Sequence, residues 1–213
     1  MKNLSILLAL TLMGLIVLPG ASFEATPTDD NDKADDKAVV NYVVDKAHSQ
    51  VGFKVRHLGI TNVNGLFKDY EASVSMDGDD LSTLQASASI QVGSISTGID
   101  RRDGHLKSDD FFNAEAYPEI KFVSKAVRNI DGSEFELVGD LTIRDVTKEV
   151  VLEGEFLGMG AMGDTRKAGF EAETTIDRFD YNLKWDRLTE AGGLVVADKV
   201  KITLDLELNE AGG

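Results

Sequence analysis

Apolar and polar residues alternate with a period of two through much of the chain between residues 51 and 208. Strict alternation of this kind is typical of β-strands that bury one face and expose the other to water. In seven runs the apolar residues occupy every second position, which we call the apolar parity. These runs are residues 51–55, 70–76, 84–92, 135–143, 150–156, 168–176 and 200–208. Charged residues and serine occupy most of the opposite parity. The pattern therefore predicts an all-β domain.

Turn-forming residues separate these runs, as at Asp77-Gly78-Asp79 and at Asp131-Gly132. The spacing of the runs is that of hairpins, and no amphipathic helices lie between them, so we predict antiparallel pairing. About eight such strands can form a two-sheet sandwich or close into a barrel, and closure removes the exposed edges.

Small residues recur among the larger ones on the apolar parity, and they bear on this choice. They are Ala86, Ala88, Gly139, Gly154, Ala168 and Ala172. In a sandwich, each unfilled methyl-sized gap would cost on the order of 1 kcal/mol. In a barrel of about eight strands, the same positions would widen the interior for one small guest. Small residues also relieve crowding in a curved strand, so the pattern favours a hollow barrel but leaves a filled one open.

The longest interruption of the strand pattern is the segment RRDGHLKSDDFFNAEAYPEIKFVS at residues 101–124. Within it, residues 101–108 predict a helix of one or two turns, since Leu106 is its only apolar residue and Gly104 weakens it. Residues 186–191 are a weaker helix candidate. We expect residues 101–124 to cover one end of the barrel, and we call this segment the cover.

Charged side chains of the cover have two interpretations. Arg101, Arg102, Asp103 and Asp110 could hold the segment in place as a network, or could contact a polar ligand head group at the barrel mouth. Exposed charge pairs are common and individually weak, which favours the structural interpretation.

The N-terminal region is typical of an exported protein. Residues 1–22 resemble a cleavable secretory signal, with Lys2 ahead of an apolar run at residues 6–18 and small residues at 20–22. Residues 23–40 are acidic and poor in large apolar side chains, which predicts a disordered linker. We assign the folded domain to residues 41–209 and a short tail to residues 210–213.

The chain has a formal net charge of −15 and no cysteine. Such an acidic surface argues against nucleic acid and against electrostatic docking on anionic lipid, because both partners are themselves negative. Without thiols the protein has no disulfide, no thiolate metal site and no cysteine-linked lipid anchor. We therefore expect a freely diffusing protein without stable membrane insertion.

Residues that could carry catalysis or bind a metal lack the spacing that these functions need. His48, His57 and His105 have no separation that places two imidazoles on one face of a helix or strand. His48 and Ser49 would point to opposite faces of a strand, which prevents proton transfer between them. The glycines of residues 158–163 connect two strands, so a hairpin loop is favoured over a phosphate-binding loop. We predict no catalytic residues, no metal and no cofactor.

Three sequence blocks resemble the YceI-like family of exported bacterial β-barrel proteins. They are DKAHSQVGFKVRHLGITNVNGLF at residues 45–67, the cover at residues 101–122, and GDLTIRDVTK at residues 139–148. The resemblance spans residues 42–207. It implies a lipocalin-like, extended antiparallel barrel in the periplasm whose apolar interior holds a long isoprenoid chain, with roles in lipid or quinone handling.

With this resemblance, the sequence predicts a non-enzymatic protein that holds a polyprenyl lipid or isoprenoid quinone for sequestration, storage or transport. The predicted ligand-binding residues of the interior and the cover are Phe53, Val55, Phe67, Leu84, Phe111, Phe112, Phe122, Phe135, Leu137, Leu141, Phe156, Phe170, Ile176 and Trp185. The alternative is that these side chains fill the core by touching one another.

Two other functions remain open at this point. One is an envelope enzyme that uses Asp103, His105 or Arg102 as acid, base or clamp. The other is a ligand-free module whose acidic face meets a basic partner such as a membrane redox protein. A homodimer is also compatible with the sequence.

Overall fold

The computed structural model describes residues 39–190 and 192–212. The predicted signal segment and all but the last two residues of the predicted linker lie outside these residues. The described strands are β1 (Val39–Val44), β2 (Gln50–His57), β3 (Thr61–Phe67), β4 (Tyr70–Asp77), β5 (Asp80–Gln91), β6 (Ile95–Ser96), β7 (Glu119–Asp131), β8 (Glu134–Ile143), β9 (Val146–Met162), β10 (Thr165–Asp177) and β11 (Val196–Glu210). The described helices are the α-helix α1 (Asp100–Lys107) and two 3₁₀ helices, at Val92–Ser94 and Arg178–Tyr181.

Eight of these strands close into an antiparallel barrel in the order β1-β4-β5-β7-β8-β9-β10-β11. The closing strand is β1, which pairs with β4 on one side and with β11 on the other. Tyr42, for example, lies opposite Val74 of β4 and Glu210 of β11. The structure thus confirms the predicted barrel of about eight antiparallel strands.

The β2–β3 hairpin extends this wall toward one end of the barrel. The long strand β11 pairs with β2 in its first part and with β1 in its last part. The chain is interrupted at neighbouring points in the wall, by the loop at residues 45–49, by residues 68–69 and by the 3₁₀ helix Val92–Ser94. We call the end with β2, β3 and α1 the upper end, and the end with the β4–β5 turn the lower end.

The lower half of the barrel is filled by side chains. Tyr42, Met76 and Leu208 are fully buried there. Next to them, the ring of Phe170 packs against those of Phe135 and Phe156, with centroid distances of 6.3 and 5.0 Å. This aromatic cluster fills much of the lower half, because aromatic rings bury large areas in offset and edge-to-face contacts.

Two local predictions from the sequence differ from the structure: the predicted hairpin joins β9 to β10 but has a much shorter loop, and a predicted helix is absent. The glycines at residues 158–163 are mostly strand, because β9 continues to Met162 and the turn lies at Gly163 and Asp164. A register shift beside Gly169 and a φ of 113° at Gly158 let the strand continue with a bulge. Residues 186–190 form no helix, since Leu188 instead makes a β-bridge with Leu194. The predicted cover helix is confirmed as α1.

Candidate ligand-binding site

An apolar cavity of about 160 Å³ lies between the cover and the level of Phe170, which pairs with the lining residue Leu206. It is lined by side chains from the barrel wall and from the cover. On β11 the alternate residues Val200, Ile202, Leu204 and Leu206 all line it. At about 3.3 Å per residue, these positions extend over roughly 20 Å. The apolar lining is therefore elongated along β11, whereas the open volume of about 160 Å³ is small.

Small side chains keep part of this cavity open. Ala72 of β4 and Ala88 of β5 lie directly opposite each other, and both line the cavity. The glycines behave differently from the prediction that they widen the interior. A Cβ atom on Gly154 would come within 2.6 Å of the Phe135 ring, so that ring already covers the glycine.

Arg178 is a buried cation in the wall of the cavity, with 2% of its surface exposed. Its guanidinium donates to the carbonyl oxygens of Leu183 at 2.6 Å, Ala197 at 2.9 Å and Val196 at 3.1 Å. It also lies 4.1 Å from the centroid of the Phe179 ring. Burial lowers the pKa of Arg178, although neighbouring aspartates oppose this shift. These contacts tie the end of β10 to the beginning of β11.

The cover forms the upper end of the cavity through Leu106, Phe111 and Phe112. The Phe112 ring makes an edge contact with Phe67 of β3, with a centroid distance of 6.1 Å. The Phe111 ring packs against Trp185 at 5.6 Å. Both phenylalanines of the cover therefore face inward, one against the wall and the other beneath Trp185.

Hydrogen bonds hold the cover on the barrel. At the start of α1, the carboxylate of Asp103 accepts from the Thr97 backbone N–H at 2.8 Å and from the Thr97 hydroxyl. Arg102 donates from Nε to the same hydroxyl at 2.7 Å. At its other end, His105 Nε2 lies 2.8 Å from the Asp110 carboxylate. Arg102, Asp103 and Asp110 thus serve the structural network, whereas Arg101 is exposed.

Eight of the fourteen predicted ligand-binding residues line the cavity. They are Phe53, Val55, Phe67, Phe111, Phe112, Phe122, Leu141 and Ile176. The other six lie outside its lining. They are Leu84, Phe135, Leu137, Phe156, Phe170 and Trp185. Phe135, Phe156 and Phe170 fill the lower half of the barrel, and Trp185 packs on the outer side of Phe111. Whether the eight residues contact a ligand stays a prediction.

The sequence prediction omitted all of the lining from β11 and β5. Val196, Val200, Ile202, Leu204 and Leu206 all face the cavity, as does Ile90. Their apolar parity was visible in the sequence, but the prediction gave preference to aromatic residues. The signal that would have found them is the unbroken alternation at residues 200–206 in the strand where the barrel closes.

A polar cluster outside the cavity joins the β1–β2 loop to β10 and β11. Lys167 Nζ donates to Glu207 at 2.6 Å, to Asn209 at 2.7 Å and to Asp45 at 3.1 Å. Contacts from His48 and Lys167 lower the pKa of Asp45 below its usual value, and the contact with Glu207 raises that of Lys167. The oxygen and nitrogen atoms of Asp45, His48 and Glu207 lie close enough to ligate a metal. The ammonium of Lys167 already bridges the two carboxylates, so the cluster fits a structural ion network.

The sequence profile of the YceI-like domain matches residues 42–208. The chain belongs to the YceI-like family. Among curated relatives, a UPF0312 protein of Staphylococcus aureus is 36% identical over 173 residues, which cover 80% of this chain and 98% of the relative. The YceI-like match begins and ends inside the barrel strands β1 and β11, so it includes the whole cavity.

Solved structures share this YceI-like fold. The YCEI protein of Campylobacter jejuni is 35% identical, with a TM-score of 0.65 over 78% of this chain and 96% of that one. BcnA of Burkholderia cenocepacia is 26% identical, with a TM-score of 0.65 over 77% of this chain and 98% of that one. A polyisoprenoid binding domain from Saccharophagus degradans has a TM-score of 0.61 at 15% identity, over 81% and 99% of the two chains, and shares the fold. No described helix of the present protein has the length and apolar content needed to span a bilayer.

Proposed function

We propose that this YceI-like protein binds a long isoprenoid chain, as a polyprenyl lipid or an isoprenoid quinone, inside the apolar cavity of its barrel. The observation that carries the proposal is this cavity, whose lining extends over roughly 20 Å along β11. Its wall is supplied by alternate residues of the strands and its upper end by the cover. This elongated apolar lining fits a chain and disfavours a charged molecule, because a charge buried without a partner is costly.

The driving force for this binding is the removal of apolar surface from water. A chain of several isoprene units has hundreds of Å² of apolar surface, and each Å² transferred contributes about 25 cal/mol. The cavity volume of about 160 Å³ is close to that of an engineered cavity of about 150 Å³ that binds benzene. A long chain therefore requires the cover or the wall side chains to move outward when it enters.

Two further observations support the choice of ligand and role. A structural neighbour is described as a polyisoprenoid binding domain, which makes an isoprenoid the first ligand class to test. Arg102 and Asp103, which could have served an enzyme, are engaged with Thr97 in holding α1. We therefore propose a binding role without covalent chemistry, in a protein exported to the periplasm that sequesters, stores or transports its ligand.

The direct test is organic extraction of protein purified from its native host, followed by mass spectrometry. We expect an isoprenoid in the extract at a molar ratio near one. The variant Ala88→Leu places a larger side chain in the cavity and should reduce that ratio, whereas Ser87→Leu on the outer face of the same strand should not. Repeated extracts without an apolar molecule, or an equal yield from both variants, would contradict the proposal.

A further inference from the structure

The β2–β3 hairpin departs from the acidic character of the rest of the chain. Residues 50–67 contain no aspartate or glutamate, and they carry Lys54, Arg56 and His57. Lys54 lies opposite Lys201 of β11, whose own charge is paired with Glu173 at 2.6 Å. In a chain with a net charge of −15, this is a local reversal of sign.

The end of this hairpin also exposes large apolar side chains. Ile60 is 81% exposed and Leu58 is 45% exposed. The backbone N–H of Leu58 donates to the carbonyl of Val195 at 2.8 Å, and Val195 in turn donates to the carbonyl of Arg187 at 2.9 Å. The residue after Arg187 is Leu188, which is 60% exposed.

These contacts place the three exposed side chains on one projection at the upper end of the barrel. We call Leu58, Ile60 and Leu188 the apolar tip. An apolar group of this kind beside cations is typical of a surface that contacts a membrane interface.

The apolar tip adjoins the wall of the cavity. His57, the residue before Leu58, lies opposite Val196 of β11, and Val55 lies opposite Val200. Val55, Val196 and Val200 all line the cavity. A surface that touches the tip therefore lies next to the upper end of the space proposed for the isoprenoid.

We propose, against the expectation from the net charge, that the apolar tip docks this protein on the surface of an anionic lipid bilayer. Leu58, Ile60 and Leu188 enter the interfacial region, while Lys54 and Arg56 face the lipid phosphates. The proposal that the tip docks on a bilayer is argued from these exposed residues and does not depend on the proposed function. The transfer of an isoprenoid between bilayer and cavity at this point rests on the proposed function.

The negative charge of the protein orients this docking. Glu171 and Asp205 lie opposite each other on the outer face of β10 and β11, with further glutamates beside them. Asp205 is nine residues along β11 from Val196, which is about 30 Å at strand spacing. Charges on exposed surfaces are largely screened beyond about 10 Å at 0.1 M ionic strength. These acids are therefore too distant to oppose contact at the tip, yet they disfavour contact through the side of the barrel.

Charges nearer to the tip are balanced. The segment that carries Leu188 contains Asp186 and Glu190 together with Lys184 and Arg187. On β11, Asp198 in the irregular stretch opposite Arg56 is followed by Lys199. The cover adds Asp109 and Asp110 beside this segment. The net positive charge next to the tip is therefore confined to the β2–β3 hairpin itself.

The absence of cysteine allows a local test with a single environment-sensitive fluorophore. One variant carries it at Ile60→Cys. The control carries it at Met162→Cys, a residue that is 73% exposed at the β9–β10 turn on the lower end. Both are titrated with vesicles of equal parts phosphatidylglycerol and phosphatidylethanolamine, and with vesicles of phosphatidylcholine alone. We expect a blue shift at position 60 with the anionic vesicles and no shift at position 162.

A charge variant tests the electrostatic part of the proposal. Arg56→Gln in the Ile60→Cys protein should weaken binding to the anionic vesicles about fivefold, the effect of one charge worth about 1 kcal/mol near a membrane surface. Arg128→Gln, at an exposed ion pair with Glu136 on the outer face, should leave binding unchanged. Salt at 0.5 M should weaken binding of the unaltered tip.

Several results would overturn the docking proposal. They are an absent shift at position 60, equal shifts at both labelled positions, equal binding to phosphatidylcholine, and a shift that depends on protein concentration without vesicles, which would indicate a second copy of the chain. Mass spectrometry of extracts from the same preparations keeps the two proposals separate. Bound isoprenoid without vesicle docking would remove only the docking, and docking without isoprenoid would remove only the proposed ligand.

Discussion

Arg144 reaches from the β8–β9 turn to the cover and donates to the carbonyl oxygen of Phe111 at 2.9 Å. The same Nη1 atom donates to the carbonyl of Asn182 at 3.0 Å, in the loop after β10. The guanidinium also lies 5.3 Å from the centroid of the Tyr117 ring. One side chain therefore links the cover, the β8–β9 turn and the loop that follows β10. It holds Phe111 in its place at the upper end of the cavity.

Arg144→Gln should loosen the cover without changing the barrel. Hydrogen bonds that involve a charged group contribute about 1.5–3 kcal/mol each, so we expect a fall of that order in the free energy of unfolding. Hydrogen exchange should become faster at backbone amides of residues 108–117 and unchanged in β8 and β9. The control is Arg128→Gln, where an exposed ion pair with Glu136 is worth less than about 1 kcal/mol. Equal exchange rates in the cover of Arg144→Gln and wild type would contradict the role of Arg144.

Gly139→Ala should destabilise the barrel, because there is no room for a Cβ atom. That atom would lie 2.6 Å from the backbone oxygen of Val123 and would also meet the ring of Phe122. Overpacking of this kind costs about 1–3 kcal/mol, measured by urea unfolding. Gly160→Ala is the matched control in the neighbouring strand β9, where no atom lies within 4 Å of the new Cβ. Equal stability of Gly139→Ala and Gly160→Ala would contradict the close packing of Phe122 against Gly139.

Phe156→Asp should strongly destabilise the barrel. Half-buried Phe156 packs on Phe170 at a centroid distance of 5.0 Å in the lower half of the barrel. The variant loses this ring contact and places an unpaired carboxylate beside the core, so we expect the free energy of unfolding to fall by about 3–5 kcal/mol. Glu155→Asp, at the adjacent exposed position, should leave the thermal midpoint within a few degrees of wild type. A cooperative, wild-type-like transition in Phe156→Asp would show that the side chain points outward.

Stability should fall in acid partly through Asp45. Contacts with His48 and Lys167 hold the pKa of Asp45 in the folded protein below its ordinary value of 3.8. A lowered pKa means that the carboxylate stabilises the fold above pH 3.8 and loses this effect as the pH falls below it. The difference in thermal midpoint between wild type and Asp45→Asn should therefore be largest near neutral pH and should shrink below about pH 4.

A double-mutant cycle identifies the partner of Asp45. In a Lys167→Gln background, Asp45→Asn should have a smaller effect, because the ammonium that it contacts at 3.1 Å is gone. An undiminished effect in that background, or a difference that grows in acid, would contradict this account.

The barrel could be predicted from the sequence because strand alternation reports burial directly. In β8, for example, the buried residues Phe135, Leu137, Leu141 and Ile143 share one parity. The closing pair of β1 and β11 could not be derived in this way, because alternation determines the face of each residue but not the neighbour of each strand. The length of the loop at GMGAMG was mispredicted because glycine permits both a loop and a bulged strand, and only the register with β10 distinguishes them.

The sequence predicted the apolar character of the interior better than it predicted the position of the cavity. Phe122 of β7 and Phe135 of β8 both lie on the inward-facing side of their strands, but Phe122 lines the cavity whereas Phe135 does not. The difference arises from their level along the barrel axis, which depends on strand stagger. Arg178 was not selected as a lining residue either, because its burial depends on three backbone carbonyls that only the folded chain brings together.

Closure through β1 and β11 also makes the barrel a candidate for circular permutation. The backbone N–H of Ala211 donates to the carbonyl of Asn41 at 2.7 Å, so the two ends of the folded domain are adjacent. A short linker between them, with new termini in the exposed Asp131-Gly132 turn, would keep every strand pair and leave the opposite end untouched. We therefore expect the same barrel to form when its strands follow one another in a different order along the chain.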